Sequence, residues 1–266
     1  MILKVFLYDD GAAEELDIAE VADYLGQKLG KVKIEVRENP FMANLAPYRI
    51  PDYARQIAGT KIQEVNKKIT SAQESLYAEI EYEKRRILGK TRSFGILYDG
   101  FHLQRTFSQV ISGKEFLPEF VHIFFTNRLF ATWDDSNKRY HLRTSVYGIP
   151  SVISTTGLVE APAKPREYYL LKQQCERLRM DVTELKDRFR GRFIDYEDKR
   201  LTAVARGYAM QAVFHLLTGD PFCEDKGCIL YNAHWQEEVI FAQLESGYEL
   251  CPSHTELLQK VLAAGK

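Results

Sequence analysis

The chain has 266 residues, a formal net charge of −1, 45% hydrophobic residues and 27% charged residues. A chain of this length buries about three quarters of the surface that its unfolded form exposes, so it needs no disulfide for stability. A net charge close to zero argues against an obligate nucleic-acid or anionic-membrane binder, because such proteins carry a basic excess.

Nothing in the sequence indicates export or a membrane span. No stretch approaches the roughly 20 consecutive apolar residues that a membrane-spanning helix needs. The N-terminal residues MILKVFLYDD lack the basic start and long apolar middle of a signal peptide. We therefore expect a cytoplasmic protein. In a reducing compartment, clustered cysteines are more often metal ligands than disulfides.

The beginning of the chain predicts a β-α-β unit. An apolar run at 2–8 ends at a turn-forming Asp-Asp-Gly, as a buried strand does. Residues 14–30 place apolar side chains at helical spacing before a glycine, and residues 32–37 alternate like a half-buried strand. This order predicts the start of a parallel or mixed sheet.

Residues 53–88 are rich in Lys and Glu, with an apolar residue at every third or fourth position. The pattern predicts one long amphipathic helix with a solvated charged face. We expect this helix to be part of the scaffold, and partner binding is the alternative.

The middle of the chain predicts strands. One is expected at 94–101, followed by a short helix at 103–111. Two more, at 119–130 and 139–148, flank the turn-forming WDDSNK and form a hairpin. A strand at 151–155 then leads into a loop punctuated by Gly and Pro.

The last hundred or so residues predict helices. One begins at Arg166 and breaks at Gly191, and a second runs from about Asp195 to Thr218. A third is expected on WQEEVIFAQLES. Strands dominate the middle and helices the end, so the predicted fold class is α/β (α+β), a mixed β-sheet flanked by helices.

Three of the four cysteines lie within 29 positions near the C-terminus. Cys223 and Cys228 form one close pair, and Cys251 with His254 forms another at C-x-x-H spacing. Zinc prefers four N or S ligands in a tetrahedron, supplied by two close pairs joined by a loop. The sequence therefore predicts one structural zinc per chain, with no position open for water. His234 is the alternative fourth ligand.

The other interpretation treats the cysteines as isolated buried residues, which behave as small apolar side chains. Cys175 stands alone in a predicted helix, and we assign that role to it. Zinc affinity would become folding free energy for the C-terminal segment. The predicted organisation is an α/β core at 1–218 and a zinc-stabilised helical subdomain at 219–266, packed together as one domain.

The cysteine pattern resembles the archaemetzincins, a branch of the metzincin zinc peptidases. That family carries H-E-x-x-H-x-x-G-x-x-H-C-x4-C-x-M and, further on, C-x-x-C. Here Cys223-x4-Cys228 and Cys251-x-x-His254 match its cysteine half, and Gly219 falls on the glycine of the motif. The order of strands and helices over about 94–258 is also similar. The resemblance implies a metzincin-like fold and a zinc peptidase ancestry.

The resemblance fails where the family binds its catalytic zinc. Counting back from the first cysteine, the three histidine positions hold Ala212, Leu216 and Phe222. The general-base glutamate position holds Val213. None of these side chains binds zinc or accepts a proton, and hydrolysis by that mechanism requires both.

A shift of register leaves Gln211 and His215 at the i, i+4 spacing of two helix histidines, with Asp220 nearby. Gln211 and His215 are therefore the candidate catalytic residues of a rebuilt site. His215 would act as general base or residual ligand, because histidine titrates near neutral pH.

The predicted function is a metallopeptidase-like protein with a structural zinc and a degenerate catalytic site that is inactive or rebuilt. The sequence leaves enzyme activity open, and an active form would be a zinc-dependent peptidase. The alternative is a non-enzymatic module that binds a protein or peptide and uses zinc only for folding. Neither a nucleic-acid nor a membrane partner is expected, and no other cofactor or oligomeric state is predicted.

Three further segments contain candidate site residues. His122 and His141, on the predicted hairpin, would form a second metal site if they approached each other, although single strand histidines are ordinarily structural. Residues 98–107 place Asp99 and His102 at a strand-to-helix junction, where side chains often line clefts. The predicted loop at 154–157 could bind an extended peptide by strand addition.

Overall fold

The computed structural model contains two β-sheets with helices packed against them. The described residues are 2–11, 13–37, 39, 41, 47–71, 74–89, 95–181 and 183–264. Residues 72–73, 94 and 265–266, which belong to predicted segments, lie outside these ranges. The predicted α/β (α+β) class, a mixed sheet flanked by helices, is confirmed.

The described part of the chain forms eight strands. They are β1 (Lys4–Asp9), β2 (Lys33–Arg37), β3 (Leu97–Asp99), β4 (Phe120–Thr126), β5 (Leu129–Asp134), β6 (Arg139–Arg143), β7 (Ser145–Val146) and β8 (Ser151–Ser154). The larger sheet has the order β2-β1-β4-β8-β7, and the smaller one has the order β3-β5-β6. β1 runs parallel to β2 and β4, and β4 runs parallel to β8. The predicted β-α-β opening is therefore confirmed.

Ten helices lie in the described ranges. They are α1 (Ile18–Leu29), α2 (Ile50–Ala58), α3 (Tyr77–Ile87), α4 (Gly100–Ser108), α5 (Thr155–Glu160), α6 (Arg166–Leu178), α7 (Thr183–Arg188), α8 (Leu201–Thr218), α9 (Gln236–Ile240) and α10 (Pro252–Ala264). A short 3-10 turn covers Pro47–Arg49, and a π turn at Phe241–Glu245 continues α9. None of these helices combines the length and the hydrophobicity needed to cross a bilayer.

Strand β1, which lies between β2 and β4, is buried on both faces because helices cover the larger sheet on either side. Val5 and Leu7 join the apolar cluster that contains α1 and α8. Phe6 and Tyr8 alternate with them and join the cluster that contains α2 and α4. The first cluster also includes Cys228 and other residues of the last segment, so one apolar core spans both predicted parts of the chain.

Helix α8 is the central helix of the fold. Its buried residues surround the helix axis from Leu201 to Phe214, as expected of a helix packed on all sides. At the N-terminal end, the Thr202 hydroxyl accepts a hydrogen bond from the backbone N–H of Asp17, which caps α1 (2.9 Å). At the other end, Gly219 adopts a left-handed conformation with φ of 81° and ends the helix.

The prediction of a single long helix at 53–88 is wrong. Helix α2 ends at Ala58, and α3 begins only at Tyr77. Residues 60–65 between them lie along the smaller sheet, where the N–H of Ile62 donates to the carbonyl of Leu97 (2.8 Å). The segment TKIQEVNKKIT contains several β-branched residues, which favour extended backbone, so these tertiary hydrogen bonds outweigh the helical spacing.

The predicted strand at 119–130 is two strands in different sheets. β4 belongs to the larger sheet, and β5 pairs in antiparallel fashion with β6 in the smaller sheet. The hairpin around WDDSNK is therefore present, but its first strand begins at Leu129. An apolar run that passes from one sheet to another looks continuous in the sequence because both strands are buried.

Three boundaries in the second half also differ. The predicted loop after β8 is helix α5, capped by the Ser154 hydroxyl, which accepts from the N–H of Gly157 (2.7 Å). The helix that begins at Arg166 breaks at Arg179, which adopts a left-handed conformation with φ of 55°, and this separates α6 from α7. The next helix begins at Leu201, six residues later than predicted.

Candidate metal centre

The four predicted zinc ligands meet at the C-terminal end of α8. The ligand atoms of Cys223, Cys228, Cys251 and His254 all lie within 4.8 Å of one another. Nδ1 of His254 is 3.1 Å from Sγ of Cys251 and 3.9 Å from Sγ of Cys228. A zinc tetrahedron with Zn–S of about 2.3 Å and Zn–N of about 2.0–2.1 Å has edges of about 3.6–3.8 Å. The group therefore fits a metal ion of this kind.

The first ligand pair lies on a tight turn. The N–H of Cys228 donates to the carbonyl of Asp225 (3.0 Å), and the N–H of Cys223 donates to the carbonyl of Leu230 (2.9 Å). The Asp225 carboxylate accepts from the Tyr248 hydroxyl (2.8 Å), which ties the turn to the segment before Cys251. These bonds hold both sulfur atoms on one side of the turn.

The second pair lies at the start of a helix. Cys251 immediately precedes α10, and His254 is in the first turn of that helix. The N–H of Ile229 donates to the carbonyl of Glu249 (2.7 Å), which brings the two ligand pairs together. The His254 ring packs edge-on against Phe214 of α8, with 5.3 Å between ring centroids. The ligand set is thus anchored to the central helix.

Cys223 and Cys228 carry protons at neutral pH when no metal is bound. Burial raises the pKa of Cys223 to about 12, and the neighbouring cysteines add to the shift. Burial also raises the pKa of Cys228, while backbone N–H groups of Cys251 and Leu230 oppose it. A metal ion therefore displaces protons on binding, and those N–H groups then stabilise the resulting thiolate.

The remaining candidate ligands lie elsewhere. Cys175 is half-buried on α6, outside the group. The backbone of His234 is hydrogen-bonded to Ala163 and to the Glu238 carboxylate, and the residue lines a small cavity beside α8. In the described part of the chain, the Cys3His group is the one set of three or more His, Cys, Asp or Glu side chains able to hold a metal.

Gln211, predicted as a catalytic residue, is buried on α8 and 1% exposed. Its Oε1 accepts from the Tyr147 hydroxyl (2.5 Å). Its Nε2 donates to the carbonyls of Ile229 (3.2 Å) and Tyr231 (3.3 Å). The amide therefore links α8 to the segment after β7 and to the turn between the ligand pairs.

His215, the second predicted catalytic residue, lies one turn further along α8 and is half-buried. Its Nδ1 is buried without a hydrogen-bond partner, and its ring centroid is 5.9 Å from that of Tyr147. Asp220 is exposed, and its carboxylate accepts from the N–H of Phe222 (3.0 Å). The structure thus places Gln211, His215 and Asp220 in three different hydrogen-bonding environments.

The four positions that the sequence resemblance assigns to the catalytic motif lie on or just after α8. Ala212 and Val213 are buried inside the apolar core. Leu216 packs against the same core, and Phe222 stands edge-on to Tyr147, with 5.9 Å between ring centroids. Apolar contacts therefore surround these four side chains.

Hydrogen bonds join α8 to the strand end beside it. The Tyr208 hydroxyl bonds to the Thr144 side chain, and the Tyr147 hydroxyl contacts Ser145 as well as Gln211. Burial raises the pKa of Tyr147, and that of Tyr208 to about 12, so both hydroxyls stay protonated. The cavity left between α8 and Leu142–Ser145 measures about 100 Å³.

Residues 1–261 match the model of a known family, described as "Probable metallopeptidase family (DUF6775)". The chain belongs to this family. The match confirms the resemblance to metallopeptidases that the cysteine spacing indicated.

Two solved structures are similar to this family member. One is archaemetzincin from Methanopyrus kandleri, with 13% identity, coverage of 98% of this chain and 96% of that chain, and a TM-score of 0.47. The other is a zinc-dependent peptidase from Methanocorpusculum labreanum, with 11% identity, coverage of 96% and 98%, and a TM-score of 0.41. No curated protein matches the chain.

The alternative of a second metal site at His122 and His141 is wrong, because the two residues lie in different sheets. His122 is in β4, where its Nδ1 bonds to the Tyr8 hydroxyl (2.9 Å) and its Nε2 to the Glu115 carbonyl (2.8 Å). His141 is in β6, opposite Thr132 of β5. His122 is thus a hydrogen-bonded core residue of this metallopeptidase relative.

The strand-to-helix junction at Asp99 holds a polar cluster. The Asp99 carboxylate caps α4 by accepting from the N–H of His102 (3.0 Å), and the His102 Nδ1 lies 3.0 Å from the same oxygen. The other carboxylate oxygen accepts from the Tyr140 hydroxyl (2.8 Å). Capping and sheet contacts therefore account for the buried Asp99.

Sequence reasoning missed one group of polar residues in this family member. Arg128 and Glu83 are an almost fully buried ion pair (3.1 Å), and Arg128 also bonds Asp10 (2.8 Å). The sequence could have predicted that Asp10 and Arg128 meet, because each follows a strand and the carboxyl ends of adjacent parallel strands lie together.

Proposed function

We propose that this member of the metallopeptidase family holds one structural zinc ion in its Cys3His group and has no peptidase activity of the H-E-x-x-H type. One observation carries the proposal. Four zinc-type ligand atoms converge within 4.8 Å, while Ala212, Leu216 and Phe222 occupy the positions of the archaemetzincin catalytic ligands.

The ligand set supports a structural role for the metal. Four protein ligands complete a tetrahedron, whereas a catalytic zinc keeps one position for water or substrate. Cys228 and Cys251 belong to the same apolar cluster as α1 and α8. We therefore propose that zinc binding fastens the segment 219–266 to the core 1–218 as one domain.

The region beside α8 supports the absence of catalysis. Peptide hydrolysis by the zinc-peptidase mechanism needs three metal ligands, an open coordination site and a carboxylate base. Here Tyr147 and Gln211 are hydrogen-bonded to each other, and the remaining cavity of about 100 Å³ is far smaller than a ligand site of about 300–1,000 Å³. A rebuilt site at Gln211 and His215 is less well supported, because Gln211 already uses its oxygen.

The proposed function is therefore that of a zinc-folded, non-hydrolytic protein. We place it in the cytoplasm, where the thiols stay reduced for metal binding. A peptide or protein partner remains a prediction.

Metal analysis combined with a peptidase assay tests the proposal. Purified protein should contain one zinc per chain by mass spectrometry of the metal, and Cys223→Ser protein should contain little. Peptide-library digestion should show no cleavage before or after added Zn²⁺. Two zinc ions per chain, or hydrolysis that disappears in His215→Ala, would contradict the proposal. Protein with no zinc, and a Cys223→Ser variant of unchanged stability, would reject the structural role.

A further inference from the structure

The three cysteines of the Cys3His group differ in their exposure to solvent. Cys228 is fully buried and Cys251 is 6% exposed, whereas Cys223 is half-buried. Zinc itself has no redox chemistry, but the thiolates that bind it are open to oxidation by peroxides. Because exposure helps to decide which cysteine is oxidised, a dissolved oxidant meets this group first at Cys223.

The sulfur atom of Cys223 lies beside that of Cys251, which belongs to the other ligand pair. The two Sγ atoms are 3.9 Å apart, although 28 positions separate the residues along the chain. The S–S bond of a disulfide measures about 2.05 Å, so the two atoms have to approach each other by about 2 Å. A metal between the sulfur atoms holds them apart, and its departure leaves room for this movement.

Cys228 is held in place by the backbone around it. Its sulfur atom accepts hydrogen bonds from the backbone N–H groups of Cys251 and Leu230. Its own N–H donates to the carbonyl of Asp225 (3.0 Å), and the residue belongs to the apolar core. A bond from Cys223 to Cys228 would break the hydrogen bonds to this sulfur atom. Cys251 is therefore the favoured disulfide partner of Cys223.

We propose that hydrogen peroxide converts the group to a Cys223–Cys251 disulfide, which releases the zinc and keeps the last segment attached to the core. The Cys223 thiolate attacks a peroxide oxygen, the O–O bond breaks, and a sulfenic acid and hydroxide form. The Cys251 thiolate then attacks the Cys223 sulfur, the S–S bond forms, the S–O bond breaks, and a second hydroxide leaves. The two sulfur atoms together lose the two electrons that the peroxide gains, and solvent protons convert both hydroxides to water.

The disulfide joins the same two parts of the chain that the zinc joins. Cys223 lies on the turn after α8, and Cys251 immediately precedes α10, so the new bond connects one ligand pair to the other. A bond within the first pair would leave the second pair unattached. A covalent link between distant residues stabilises the fold by restricting the unfolded chain. The oxidised, zinc-free chain therefore keeps its last segment in place, and reduction by a thiol restores the zinc-binding form.

This inference rests on the proposed function only for the zinc ion that is released. Protein purified without zinc that still forms the Cys223–Cys251 disulfide would contradict the structural zinc and support the disulfide. Zinc-loaded protein that forms a different disulfide would overturn the inference and leave the proposed function standing. The two proposals therefore fail separately.

Treatment of the zinc-loaded full chain with hydrogen peroxide is the direct test. A chromogenic chelator follows zinc release, and mass spectrometry of peptides prepared without reductant maps the disulfides. We expect zinc release in step with formation of the Cys223–Cys251 bond, and both should be reversed by dithiothreitol and Zn²⁺. A disulfide at Cys228, a bond between two chains, sulfinic acid without a disulfide, or a group still reduced when Cys175 is oxidised would overturn the proposal.

Amide hydrogen exchange separates the effect of the disulfide from simple loss of zinc. In residues 219–264, the oxidised chain should exchange within about threefold of the zinc-loaded chain, whereas the reduced chain after chelation should exchange at least about tenfold faster. Equal exchange in the two zinc-free forms would overturn the proposal. The control is Cys175→Ser, at a half-buried cysteine outside the group, which should change neither the mapped disulfide nor the exchange.

Discussion

Two regions at the same end of the central helix α8 use polar side chains in opposite ways. One is the Cys3His group, and the other is the groove beside α8 in which Gln211 is hydrogen-bonded to Tyr147. In the metal centre, four ligand atoms point toward one centre, and burial keeps Cys223 and Cys228 protonated until a metal arrives. In the groove, Gln211 and Tyr147 satisfy each other. Converging ligand atoms indicate a site for an ion, whereas side chains that are hydrogen-bonded to each other indicate a structural role.

The largest expected effect follows from removing one ligand. Cys223→Ser should lower zinc content from one per chain to near zero and reduce the free energy of unfolding by more than about 4 kcal/mol, because zinc affinity is part of folding free energy. Urea unfolding and metal analysis measure both. The control is Cys175→Ser, at a cysteine of similar burial outside the group, where we expect less than about 1 kcal/mol. Equal losses in the two variants would contradict the assignment.

Removing the metal from the wild-type chain should affect the last segment first. After chelation, amide hydrogen exchange should rise at least about tenfold in residues 219–264, where the zinc connects the two ligand pairs. Peptides that cover β1 and β4 should keep their protection at low chelator concentration. Uniform acceleration over the whole chain would show that the metal does not stabilise this segment locally.

In the groove, a smaller effect is expected. Gln211→Ala should destabilise the fold by about 2–3 kcal/mol, because the Tyr147 hydroxyl and the carbonyls of Ile229 and Tyr231 lose their partner. Zinc content should not change. Thermal and urea unfolding measure the loss, and Gln174→Ala on the exposed face of α6 is the control. A loss below about 0.5 kcal/mol would contradict the structural role of the amide.

The smallest effects are expected at His215 and His234, two of the histidines outside the metal centre. His215→Ala should change stability by less than about 1 kcal/mol, because the ring nitrogen Nδ1 has no partner to lose. His234→Ala should likewise retain one zinc per chain, while His254→Ala should lose it. Loss of zinc in His234→Ala would move the fourth ligand from His254 to His234.

Much of the metal centre could be predicted because its ligands form two pairs that are close in sequence. Cys223 and Cys228 share a single turn, and Cys251 and His254 share the start of one helix. Folding had to supply only the approach of one pair to the other. The fold class was predictable for a similar reason, since apolar periodicity reports local strands and helices.

The predictions of secondary structure were wrong where contacts with distant parts of the chain outweigh the local sequence pattern. The spacing at 53–88 is helical, yet residues after Ala58 bond to Leu97 and Tyr140 instead. The run at 119–130 is mostly apolar, yet it passes from one sheet to the other between Thr126 and Leu129. A periodic pattern shows that one face is buried, but it does not identify the partner that buries it.

The sequence by itself determined that a set of zinc-type ligands, Cys223, Cys228, Cys251 and His254, lies near the C-terminus. Only the tertiary structure decided which polar groups have hydrogen-bond partners and which do not. Gln211 is satisfied by Tyr147, and Asp10 is left with an unpaired oxygen beside Arg128. The physical reason is that hydrogen bonding and burial depend on side chains brought together from distant positions, which no local pattern encodes.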